Sequence, residues 1–322
     1  MSKGQMVVGP DLTPDRLKKF ENVLGEITRQ LVQGLHSPGK GVSLEEGQIF
    51  AEHRNPFELV TSKVGEVQPK IEQPKGPTAV LQAVVDNIVA RLTERFGQEI
   101  QVDQLPTEFT DESLAEWAKF NLKPVFLPGE DIGRRRKLKG WKKPESWFYD
   151  RVDDGKIKPI WEDLPPTMLR RGWYLADFTV SADYTDGTQV FVDDPLASII
   201  KKLREEKKIG KHDNTPLDSR FAIIWYEWCN PLLTYIASAY RVTRAQVRLE
   251  RAIEFNTIGN LYDTNRGKFN SWEWFQDQFE GSDRLYGGSR DDGGLSSVHV
   301  YAGWQANRDD SFAGRPLVSF VR

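Results

Sequence analysis

The chain has 322 residues, 39% of them apolar, with 44 Lys and Arg against 47 Asp and Glu and a formal charge of -3. That length suits two domains or one domain with a long extension, and the near-neutral balance excludes a general attraction to nucleic acid or acidic membranes. A single cysteine, Cys229, excludes an intrachain disulfide, so a packed core must hold the fold.

Met1 to Pro10 carries one Lys and no apolar run of signal-peptide length, and no stretch reaches the roughly 18 apolar residues of a membrane span. The expectation is a soluble protein made in the cytoplasm. Every Trp lies between Trp117 and Trp304, so the aromatic core material is concentrated in the C-terminal two thirds. The chain is therefore divided near Pro124 into a helical N-terminal region, 1–124, and a second domain, 125–322.

In the first region, Thr13 and Pro14 form a cap and first turn, and Leu17, Phe20, Leu24, Ile27 and Leu31 follow at helical spacing up to Gly34. Two heptads fall short of a coiled coil, although the stripe offers an oligomerisation surface. Ser43 and Glu46 form a capping pattern for a shorter helix that runs to about His53. Val60 to Pro77 is polar and Pro-bounded, a linker or an exposed hairpin. Thr78 caps a helix with Leu81, Val84, Val85, Ile88, Leu92 and Phe96 on one face, stopped by Gly97. Thr110 caps another that passes through Leu114 and Trp117 to Leu122 and ends at Lys123-Pro124.

Pro128 to Lys143 is the one strongly basic run: Arg134, Arg135, Arg136, Lys137, Lys139, Lys142 and Lys143, with Trp141 among them. Phosphate contact with a stacking Trp is one reading; a solvated loop neutralised by Glu145, Asp150, Asp153 and Asp154 is the preferred one, because the domain as a whole is not basic. From Gly172 the pattern turns to strands, with a hairpin at Tyr184 to Thr188 around Asp186-Gly187. Asp194-Pro195 opens a helix through Leu196, Ile199, Ile200 and Leu203 with a Lys-rich last turn. Phe221 to Tyr240 is apolar and aromatic, with Pro231 at a helix start. Ala237 to Val247 has the spacing of a helix-turn-helix, but Arg241 occupies the turn where a small residue with positive φ is usual.

The last 52 residues, Ser271 to Arg322, hold three signals in fixed order. Trp272-Glu273-Trp274-Phe275 comes first, then Arg284-Leu285-Tyr286-Gly287-Gly288-Ser289, then Gly314-Arg315-Pro316-Leu317-Val318-Ser319-Phe320, which alternates as a strand would. Between turn and final strand lie residues rich in Asp, Ser, Gly, Asn, Arg, Tyr and Trp, a paratope-like composition. Val298 and Val300 would point inward there, His299 and Tyr301 outward. Gly293, Gly294, Gly303 and Gly314 read as backbone necessities, and Gly288, Gly303 and Gly314 are expected to hold positive φ.

This order resembles the formylglycine-generating-enzyme branch of the C-type lectin fold, with Arg248 to Phe255 similar to that branch's segment upstream of the WEW block. The region between turn and last strand is most similar to the variable region of proteins diversified by retroelements. The resemblance implies an α+β chain with a C-type-lectin-like domain and a diversified ligand-binding surface. The enzymes of that branch depend on a pair of cysteines, and this chain has Cys229 alone.

The search for other chemistry is negative. His36, His53, His212 and His299 have no metal-ligand spacing, and there is no GxSxG, phosphate loop or GxGxxG. Asp291, Asp292, Asp309 and Asp310 lack the order of an EF-hand loop. The reading is a binder without catalysis, cofactor or metal, whose partner is an unknown protein or other macromolecule and not nucleic acid. Its ligand-contacting residues are expected to be Arg290, Asp291, Asp292, Ser296, Ser297, His299, Tyr301, Trp304, Asn307, Asp309 and Asp310. The alternatives are an oxidase of the formylglycine-generating class and a DNA-binding regulator using 237–247.

Overall fold

A computed structural model describes residues 77–158, 164–290, 301–304, 306 and 308–321, with 301–304 as backbone only. The helices expected over 13–34 and 43–53, the linker ending near 77, and the alternation at Val298 to Tyr301 lie outside the described residues or side chains. By its contacts the chain divides between Lys75 and Gly76. The boundary expected at 124 instead falls inside a strand, within one core that runs from Leu81 to Val318.

Helix α1, Ala79–Phe96, starts where Thr78 Oγ1 accepts from Leu81 N at 3.2 Å and stops where Gly97 turns left-handed at φ 69°. Its apolar stripe buries Leu81, Ile88, Leu92 and Phe96. Helix α2, Asp111–Ala118, has a reciprocal cap between Thr110 and Ser113 and buries Trp117, whose indole N–H donates to Tyr240 O at 3.0 Å. The helix ends four residues before Leu122, and Pro124 belongs to strand β1, Leu122–Leu127. That strand is at a sheet edge, where a missing N–H is tolerated. Helix α3, Ser146–Asp153, leads to the short strand β2, Ile157–Lys158.

Strand β3, Gly172–Asp177, is buried at all six positions because it lies between β1 and β9, Pro316–Ser319. The edge beyond β9 is β4, Val247–Leu249, so the first sheet has the order β1-β3-β9-β4, antiparallel throughout. Asp186-Gly187 does turn, with φ 48° and 80°, but no named strands flank it. Helix α4, Ala197–Glu205, ends where Lys207 takes φ 57°. A helical turn at Trp225–Glu227, a π-type turn at Trp228–Leu232 with a cis Asn230-Pro231 bond, and α5, Leu233–Tyr240, account for the apolar aromatic stretch.

No recognition helix follows α5 within 241–247. Arg241 takes the left-handed turn at φ 56°, Thr243 caps a single 3-10 turn, Arg244–Gln246, and the chain enters β4. The helix-turn-helix reading of 237–247 is therefore corrected: Val247 is a sheet residue, buried opposite Val318.

Helix α6, Ala252–Leu261, is buried along all ten residues, with the Glu254 carboxylate accepting from Arg251 N at 2.9 Å at its start. The second sheet contains β5, Trp272–Phe279, β6, Asp283–Gly287, and β7, Tyr301–Trp304, in the order β2-β5-β6-β7, with β8, Phe312–Gly314, parallel to β5. The molecule is thus mixed helix and sheet, as expected of an α+β chain.

Candidate functional site

The three C-terminal motifs meet in space. Trp274 is buried, its indole N–H donating to Ile223 O at 3.2 Å, and its ring stands edge-on to Phe312 at 4.9 Å between centroids. Trp272 is half-buried against the same core, beside Tyr286 of the GGS motif. Gly314 lies on the Trp228 ring so closely that a β-carbon there would stand 2.5 Å from Cε2. Arg315 reaches Glu273 of the WEW block with N···O distances of 2.8 and 3.0 Å and donates to the carbonyls of Asp177 and Thr179.

These contacts belong to a buried charge network. Arg220 is shared between Asp177 and Asp194, and Arg266 between Glu250 and Asp263, all with little or no exposure. Burial alone would raise Asp177, but Arg220, Arg315 and the Thr179 side chain overcome it and hold the carboxyl below its ordinary range. Glu250 is different. Burial pushes it up to about 7 against Arg266 and Arg315, and its Oε1 accepts no hydrogen bond among the described residues. A network of this kind fixes the relative positions of β3, β5, β8 and β9, because breaking one partner leaves a buried charge uncompensated.

Over this base, both ends of the segment expected to contact ligand are fastened. At its start, Arg290 N donates to Phe269 O at 2.7 Å, and the exposed guanidinium lies 3.4 Å from Asp183. Asp183 accepts from Asn270 N at 3.0 Å, while Tyr184 N donates to Asn270 Oδ1 at 2.6 Å. At its end, Arg308 pairs with Glu227 at 2.7 and 2.9 Å and donates to Ala222 O at 2.7 Å. Asp309 Oδ1 accepts from Ser311 N at 2.8 Å, closing the turn. The Asp310 carbonyl accepts from Gln189 Nε2. Partial desolvation and the Asp310 carboxylate, with which the phenol hydrogen-bonds, raise Tyr184 above the ordinary tyrosine value. One loop, 183–189, therefore holds both ends.

The expected site residues fall into four groups. Arg290 is exposed at the rim. Tyr301 and Trp304 are in β7, in register with Tyr286 and Asp283, so the backbone between the fastened ends is itself tied to the sheet. Asp309 and Asp310 are half-buried and anchor the turn, Asp309 Oδ1 accepting from Ser311 N and Asp310 meeting Tyr184. Asp291, Asp292, Ser296, Ser297, His299 and Asn307 lie outside the described residues.

Sequence alone does not mark Asp183, Tyr184, Gln189 and Arg308 as residues of the site. The one local signal was the Asp186-Gly187 turn, which marks a projecting loop without saying what it touches. Arg204 supports this corner too. It is buried and donates to the carbonyls of Gly210, Pro216, Leu217, Ser219 and Phe221, gathering the loop that packs beside Arg308.

Cys229 is half-buried, and burial pushes its thiol up to about 12 despite Arg244 and Arg284 nearby. Among the described residues no group of His, Cys, Asp and Glu could hold a metal ion. No helix among them is long and apolar enough to cross a membrane. No family model matches the chain, and no curated protein or solved structure matches it.

Proposed function

We propose that the protein is a non-catalytic binder with a C-type-lectin-like scaffold, similar to retroelement-diversified variable proteins, that takes a protein or other macromolecular ligand on the surface between Arg290 and Asn307. The observation that carries this reading is the double fastening: Arg290 and Asp310 are both held by the 183–189 loop, so the chain between them can change while its ends stay fixed. The lectin-like assignment is supported by the convergence of the WEW, GGS and GRPL motifs through Trp274, Tyr286, Gly314 and Arg315. The exposed Tyr184, 37% accessible, follows Asp183, the partner of Arg290, and adds an aromatic contact outside the varied segment.

The oxidase reading is disfavoured by a thiol that stays protonated at neutral pH and has no second cysteine to work with.

The test compares two variant sets by thermal melting. Joint replacement of Arg290, Asp291, Asp292, Ser296, Ser297, His299, Tyr301, Trp304 and Asn307 by Ser or Ala should leave a cooperative melt, because the proposal makes them ligand-facing positions, and replacements at such positions each shift stability by within about 0.5 kcal/mol. Gly288→Val should not, because Gly288 has φ 93° and its β-carbon would meet Phe255 at 2.8 Å. Loss of the melt in the first set with tolerance of Gly288→Val would show that the segment is core and end the proposal.

A further inference from the structure

Apart from the ligand face, the basic run Arg134 to Lys143 forms a second surface whose charge the fold only partly neutralises. Its backbone is pinned. Lys142 N donates to Asn260 Oδ1 at 2.8 Å, Lys142 O accepts from Asn256 and Asn260 at 3.0 and 2.9 Å, and Tyr149 OH donates to Ile132 O at 3.0 Å. The apolar members turn inward. Trp141 stands edge-on to Phe96 and donates its indole N–H to Asn256 Oδ1 at 3.1 Å, and Leu138 packs on the core.

Three of the seven cations are occupied. Arg134 pairs with Asp150 and Asp153, Arg136 with Glu130, and Lys143 is turned toward the carbonyls of Gly133 and Arg134. The other four, Arg135, Lys137, Lys139 and Lys142, are exposed and have no carboxylate partner among the described residues. Arg95, from the last turn of α1, joins them by donating to Lys139 O at 3.4 Å. Burial, and after it the charge of Lys137, lowers Lys143. The neutralisation expected from Glu145, Asp150, Asp153 and Asp154 thus reaches Arg134 alone among the ten residues of the run.

We propose that this pinned loop is a docking surface for the phosphate backbone of duplex nucleic acid, without sequence preference, through Arg135, Lys137, Lys139 and Lys142. The committed Trp141 cannot stack on bases, which removes single-strand recognition by stacking. Trp141 and Leu138 are likewise turned away from a bilayer, leaving charge as the whole of the attraction. A surface of charge alone gains most from the polymer with the densest fixed charge and the largest release of counterions, which is a duplex. The chain's net charge of -3 makes the attraction local to this loop and steep in salt.

The experiment is fluorescence anisotropy of the full chain with a labelled mixed-sequence DNA duplex of about 20 base pairs, titrated across salt. Four neutralised phosphates predict a slope of about -3.6 in log K against log salt, and hence a loss of about 100-fold between about 50 and 200 mM. Arg135→Gln, Lys137→Gln, Lys139→Gln and Lys142→Gln together should abolish measurable binding at the low-salt end with an unchanged melting temperature. Lys201→Gln with Lys202→Gln, on α4, should leave binding intact. No binding by the parent chain at low salt, an unchanged affinity in the fourfold variant, or binding to phosphatidylserine vesicles in preference to the duplex would each overturn the proposal.

Discussion

Gly314→Ala adds one methyl group where there is no room for it. The new carbon would stand 2.5 Å from Trp228 Cε2 and 2.9 Å from both Cδ2 and Cζ2. Trp228 is fully buried, and Gly314 is held in register with Trp274 by β8–β5 pairing, so neither side yields cheaply. To regain ordinary contact the ring must retreat by roughly 1 Å into a core packed as densely as a crystal. Overpacking of this kind costs about 1–3 kcal/mol, and the upper part of that range applies to a fully enclosed indole. In a unit of this size it corresponds to a fall of about 5–10 °C in Tm. Gly281→Ala is the matched control. Gly281 has φ 64° but nothing within 4 Å of its β-carbon site, so backbone strain of about 1 kcal/mol is its whole cost. Circular dichroism melts of the two variants decide the matter. A Gly314→Ala protein that melts with the parent, or above Gly281→Ala, would refute the reasoning that close packing on Trp228 is why Gly314 is glycine.

Arg315→Met should cost about 3–5 kcal/mol by urea denaturation, since it strands Glu273 in the core, and Arg315→Met with Glu273→Met should recover much of that loss. Glu250 has a raised folded pKa, so its contribution to stability is fully present below about pH 4.5 and is lost as pH rises toward about 7. Glu250→Gln should therefore flatten the decline in stability between about pH 5 and 7.5, an effect on the order of 2–3 kcal/mol; an unchanged pH profile would contradict the assignment. Asp177 and Glu254 are held low, so they act in the opposite sense and lose their contribution as pH falls. The Cys229 thiol, pushed up to about 12, should react with iodoacetamide at pH 8 at least about 100-fold more slowly than free cysteine, and equal rates would show a reactive thiol.

Helices α1 and α2 were legible because their signals are local: a capping Thr, an apolar stripe at helical spacing, and Gly97 to stop the first. Helix α6 shows no polar face because it is enclosed on every side, and amphipathic spacing says nothing about such a helix. Pro124 was misleading for a physical reason: proline ends helices and also suits an edge strand, and only the pairing of β1 with β3 distinguishes the two. Thr243 in the same way caps a 3-10 turn as well as it would a recognition helix.

The order of the C-terminal motifs was visible, but not their partners. Glu273 and Arg315 are 42 residues apart, and Asp177 and Arg220 are 43, separations at which composition gives no hint of pairing. Asp309 and Asp310 have the composition of ligand contacts, and composition gives no sign that their oxygens also close a turn and meet Gln189 and Tyr184. Gly314 was expected to need a positive φ. Its need is the Trp228 ring instead.

The central claim is that the segment between Arg290 and Asn307 can vary while its fastened frame stays constant. The direct measurement is a surface-display library randomised together at Arg290, Asp291, Asp292, Ser296, Ser297, His299, Tyr301, Trp304 and Asn307, with Asp309, Asp310 and Gly314 kept. Unselected members are scored for protease resistance, and the library is then sorted against two unrelated purified proteins, lysozyme and serum albumin. The account predicts that most unselected members resist protease as the parent does, and that binders to each target emerge with different sequences at these positions. A library whose members are mostly degraded, or whose folded members yield no binder to either target, would contradict it.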